Sequence, residues 1–190
     1  MKRRFAVVCL LAGFMALAAQ AQQKEWTRED QTDPLHNTEY TQFTLEGKYL
    51  VPPRHPGADA PMLILQCGPG GRSHSGGQAS GKLIAGYLDV DATLDFRQDN
   101  IPVEYRLDDG KLQNAYWSTS TDGGGASFGE KDLEKLLYGR SAPRKEDTNP
   151  PVHKLMVGIP ERLGTQIQAQ FDMPDPSEVA EACGVIAHKK

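Results

Sequence analysis

The chain has 190 residues, 38% of them hydrophobic and 24% charged, with a formal net charge of −4. That length suits one domain with a sizeable core. The acidic balance, with no basic cluster interleaved with aromatics, argues against nucleic acid and against an anionic membrane surface as partners.

Residues 1–21 read as a secretory signal peptide. Lys2, Arg3 and Arg4 form the charged start, residues 5–18 are apolar, and Ala19-Gln20-Ala21 fits a small-x-small cleavage site. The apolar run is shorter than the roughly 20 residues a bilayer span needs. A lipid on Cys9 is disfavoured, because Val8 is too large to precede a lipidated cysteine and Cys9 lies too early in the run. Cleavage would remove three of the 21 basic residues and none of the 25 acidic ones, leaving 18 against 25, a net charge of −7. No second apolar span follows, so the mature product is expected to be periplasmic or secreted from a bacterium, with no membrane span.

Residues 22–190 read as one β-rich domain. Residues 22–46 are polar, with Trp26, Leu35, Tyr40 and Phe43 as the large anchors. Residues 40–45 are β-prone and can continue through Gly47 to Val51. Residues 52–61 are a Pro-rich loop. Residues 62–67, the most apolar short run, predict a buried strand ending at Cys67. Residues 68–81 are a flexible Gly- and Ser-rich loop. Partial alternation over 82–96 fits two strands or one long bent strand. Residues 101–107 are a strand with Val103, Tyr105 and Leu107 on one face. Asp109-Gly110 is a hairpin signal, and residues 112–119, with Trp117, are the partner strand. Residues 131–138 predict a short helix ended by Gly139. A polar loop spans 140–151, and strands follow at 152–159 and from Gln166 to Phe171, where Gln alternates with Ile167, Ala169 and Phe171. A last short helix has Asp175 as its N-cap, Pro176 in first position, Glu178 as a capping-box partner, Gly184 as its stop, and Val179, Ala182 and Cys183 on one face. The sum is a mainly β fold, sandwich-like antiparallel sheets with two short helices.

Two cysteines survive in the mature chain, and an exported pair implies one disulfide, Cys67–Cys183. Chain entropy gives such a link about 4–5 kcal/mol; two separate thiols is the alternative. Zinc is not expected, since no further Cys or His lies at ligand spacing, and the residues imply no cofactor.

The chemical motifs are weak. Residues 76–82 match most of a phosphate-loop spacing, but Leu83 stands where magnesium needs Ser or Thr, and a strand follows. Gly125-Ala-Ser127-Phe-Gly129 fits Gly-x-Ser-x-Gly, yet a turn precedes it instead of a strand. The alternative is a strand starting at Ala126 with Phe128 in the core. His36, His55, His74, His153 and His188 are scattered and read as solvated. Asp89, Asp91 and Asp95 alternate on one face, and the sequence gives no separation that would make a glycosidase pair.

Six segments in order carry a resemblance. They are Trp26 with Asp33-Pro34-Leu35, the run from Pro61 to Cys67, Val103-Glu-Tyr105-Arg106-Leu-Asp108, Trp117-Ser-Thr-Ser-Thr-Asp122 followed by Phe128, Phe171-Asp172, and the terminal helix with Cys183. Together they resemble the VasI-like family of exported proteins associated with type VI secretion. The chain departs from that pattern at residues 173–176, in the added 140–151 loop and in the glycine-rich 68–81 loop. The resemblance implies a non-enzymatic binding or accessory protein of the cell envelope, with a protein or envelope component as partner, and no catalytic residues. Arg106 with Asp108 or Asp122 is expected to form a structural ion pair. Two other readings compete. An inhibitor of an envelope-directed hydrolase such as lysozyme would use the acidic charge against a basic target. A small secreted hydrolase would use Ser127 or the carboxylates.

Overall fold

The computed structural model describes residues 25–35, 37–68, 81–94, 100–120, 123–139, 150–162 and 164–185. The signal segment, the glycine-rich loop with its phosphate-loop spacing, most of the 140–151 loop, His36, His74, His188, Asp95 and Asp122 lie outside the described residues.

The strands are β1 (Thr27–Asp33), β2 (Thr38–Glu46), β3 (Lys48–Val51), β4 (Met62–Gly68), β5 (Lys82–Asp89), β6 (Asn100–Leu107), β7 (Gln113–Thr119), β8 (Gly125–Phe128), β9 (Lys154–Pro160) and β10 (Gln166–Asp172). The helices are α1 (Glu130–Tyr138) and α2 (Ser177–Ala182). All strands join one sheet in the order β1-β2-β4-β5-β8-β7-β6-β9-β10-β3, and every pairing is antiparallel.

One residue explains the shape. Only Gly47 separates β2 from β3, yet β2 is second in the sheet and β3 is last. The sheet must therefore curl until its two ends meet at Gly47. The bare α-carbon there is needed, because a β-carbon would stand 2.6 Å from the Phe171 ring and 2.8 Å from the Gln170 carbonyl. β1 is an extra strand laid along the first part of β2.

The curled wall has an apolar inside. Phe43, Leu45, Leu63, Leu65, Ile101, Val103, Leu155, Ile159, Ile167 and Phe171 are at most 1% exposed, and they come from alternate positions of their strands, as the pleat requires. Trp117 and Phe128 pack at 4.8 Å between ring centres. The outside is mostly polar, the reverse of a membrane-spanning barrel. No helix among the described residues is long and apolar enough to cross a membrane.

Alternating strand directions put the ends of β4, β6, β8 and β10 at one mouth, and both helices close it. α1 follows β8 and buries Leu133, Leu136 and Leu137; Gly139 ends it with φ 70°. α2 follows β10, and Cys183 just beyond it bonds to Cys67 at the end of β4, with 4.8 Å between α-carbons. The expected disulfide is present. The helix departs from its expected details. Asp175 Oδ1 accepts the Ser177 N–H at 2.9 Å, but Glu178 reaches Arg28 of β1 at 2.6 Å and closes no capping box. Ala180 joins Val179 and Cys183 in the core, and Ala182 packs partly buried against it. The second mouth is crossed by residues 90–94, where Leu94 bridges to Glu161.

Candidate functional site

The side chains of β6, β9 and β10 that point outward form a shallow groove of about 200 Å³. Register brings its parts together. Glu104 of β6 stands opposite Gly158 of β9, which stands opposite Gln168 of β10. Arg106 stands opposite Met156, and Leu50 and Leu112 rim the ends. Gly158 is buried and carries no side chain, and the Gln166 amide packs over it, 2.7 Å from where a β-carbon would be.

A polar ladder runs along one side. Gln166 Nε2 donates to Glu104 Oε2 at 2.8 Å, and Gln168 Nε2 donates to Gln166 Oε1 at 3.0 Å. Glu104 Oε2 is taken up by Gln166, and no contact joins the carboxylate to Arg106, two residues along the same face. Arg28 pairs with Glu178 and Asp30, Arg54 faces Glu161, and Arg162 is engaged as well. Arg106 is the one arginine among the described residues with no acceptor, and it is exposed. Leu112, 53% exposed, places apolar surface at the Arg106 end, and Leu50, 46% exposed, stands at the far end on β3.

Asp108, the expected partner of Arg106, is used elsewhere. It sits past the end of β6 at φ 48°. Its Oδ1 accepts the N–H groups of His153 and Lys154 at 2.9 and 2.8 Å, which ties the β6–β7 turn to the start of β9. No ion pair joins Arg106 to Asp108 among the described residues.

The other motif residues have local roles. Ser127 lies within β8, and its Oγ donates to the Ser118 carbonyl at 3.2 Å. The expected start at Ala126 is off by one residue, and Phe128 is in the core as expected. His55 Nε2 meets the Asp91 carbonyl, an interaction that raises the ring's pKa. Tyr49 donates to the Val90 carbonyl at 2.5 Å; burial, with Asp91, Asp89 and Asp59 nearby, pushes its pKa up to about 12. No group of three or more His, Cys, Asp or Glu able to hold a metal occurs among the described residues.

Larger grooves exist, and several of their polar groups bond to one another. One of about 600 Å³ beside the disulfide is lined by Arg28, Asp30, Tyr40 and Thr41, which bond to one another or to neighbouring groups. One of about 360 Å³ near Ile84 and Tyr116 has Asp132 paired with Lys135. The smaller groove is distinguished by an exposed arginine with no internal acceptor, a fork that a partner's carboxylate can meet.

Sequence reasoning singled out Arg106 but missed Gly158, Gln166 and Gln168 as site residues. The alternating glutamines marked the solvent side of a strand, and nothing local marks that side as concave.

Fold and groove together define a disulfide-locked, curled antiparallel β domain with an open recess on its outer wall. Compared with family models, curated proteins and solved structures, the chain matches none.

Proposed function

We propose that this is an exported, non-enzymatic binding protein of the cell envelope whose partner seats on the outer wall around Gly158 and Arg106. Type VI secretion is the setting that the resemblance to VasI-like proteins implies. The observation that carries the reading is an exposed arginine with no internal acceptor at one end of a recess on the outer wall. Among the described residues, the inside of the fold is taken up by the apolar core cluster. A recess of about 200 Å³ falls below the roughly 300–1,000 Å³ of sites that enclose small molecules. It suits one or two residues of a larger partner.

The test is site-specific photo-cross-linking in cells that export the protein, with the photoreactive residue at Leu112 or, on another part of the wall, at Ile84. A discrete adduct from Leu112 and none from Ile84 is expected. Adducts from Ile84 alone, or from neither position, would overturn the reading.

A further inference from the structure

We infer that the groove receives the side-chain carboxylate of an acidic residue flanked by an apolar one, on a partner protein. This rests on the binding reading above and names the chemistry that the groove selects.

Charge complementarity carries the argument. A guanidinium is a planar fork of donors matched to a carboxylate, and it takes one through two parallel hydrogen bonds. Arg106 offers that fork to solvent. The acid best placed to neutralise it, Glu104, is held by Gln166 at 2.8 Å. The held Glu104 also sets a limit, because its negative charge disfavours a second anion on its own side of the groove. The incoming carboxylate is therefore steered to the Arg106 end, where Leu112 and Met156 supply apolar contact for a neighbouring side chain. The chain as a whole is acidic, at −4. An anionic partner is drawn to it by local complementarity and not by net charge.

The carboxylate belongs to a side chain and not to a chain end. Capture of a terminal carboxylate uses free backbone N–H groups. Here β6, β9 and β10 are each paired on both sides, so the floor has no such nest.

The test is a titration of the folded protein with three probes, followed by NMR at the Gly158 amide and the Arg106 side-chain N–H. The probes are acetyl-Leu-Glu-amide, acetyl-Leu-Gln-amide and acetyl-Leu-Leu with a free terminal carboxylate. The Glu peptide should bind about threefold more tightly than the Gln peptide, the scale of an ion pair with an exposed arginine. Arg106→Gln should abolish that preference while leaving the amide spectrum folded. Equal affinity for the Glu and Gln peptides would overturn the inference, as would tighter binding of the free terminal carboxylate. The Leu112 cross-link, repeated with Arg106→Gln, separates the two levels. An adduct that persists at full yield sinks the carboxylate claim and leaves the binding surface standing. No adduct even with Arg106 intact sinks both.

Discussion

The helix-closed mouth and the outer wall are built to opposite rules. At the mouth, Cys67, Cys183, Val179 and Phe171 are at most 3% exposed, and the helix is tied to the sheet covalently and through Arg28–Glu178. On the wall, an exposed arginine is left without an acceptor and two leucines face water. Burial and satisfied bonds stabilise a fold, whereas exposed, solvated side chains add little to it and can be changed without unfolding it. Stability and binding should therefore respond to different substitutions.

The largest effect is expected at the disulfide. Cys183→Ser should cost about 4–5 kcal/mol of unfolding free energy in oxidising urea titrations, from the loop-closure entropy of a 116-residue separation. It should cost little under reducing conditions. Equal losses in both would mean that packing at Val179 and Phe171 alone holds α2.

Next comes the seam of the curled sheet. Gly47→Ala drives a methyl into the Phe171 ring and the Gln170 backbone. It should cost about 1–3 kcal/mol, the range of overpacking in a tight core, read as a lower urea midpoint. An unchanged midpoint would contradict the closure of the wall at that residue.

Tyr49, at the second mouth, should give a smaller effect that depends on pH. Its folded pKa is raised to about 12, against about 10 in an unfolded chain. The folded state thus holds the proton more tightly. The associated stability is complete below pH of about 10 and is lost as pH rises through the folded value. Thermal melts across that alkaline window should show the decline, and Tyr49→Phe should flatten it. A slope unaltered by that substitution would place the titrating group elsewhere.

Much of the wall was legible in the sequence, because alternation in Ile101, Val103, Tyr105 and Leu107 and in Ile167, Ala169 and Phe171 records which face meets the core. β1 was not. Its residues are polar on both faces, and pairing with β2 makes it a strand, not burial. Sheet order was not legible either, since nothing local says that Glu46 and Lys48 belong to opposite ends of one sheet. The cysteine pair was readable from count and compartment alone. Arg106 was readable as a residue of interest, but its lack of an acceptor depends on Glu104 choosing Gln166, a contact across 62 positions of sequence.

The smallest effect on stability is expected where the effect on binding should be greatest. Gly158→Ala meets only the flexible Gln166 side chain, 2.7 Å from the new methyl. Folding should lose less than about 1 kcal/mol, a melting shift of no more than about 4 °C. The same methyl fills the groove floor and displaces the amide that holds Glu104. Adduct yield from a photoreactive residue at Leu112, measured in Gly158→Ala beside its thermal melt, tests the outer wall most directly. The expected result is a yield reduced at least about tenfold in a protein that melts almost as before. Full yield at that same melting temperature would contradict the assignment of binding to this wall.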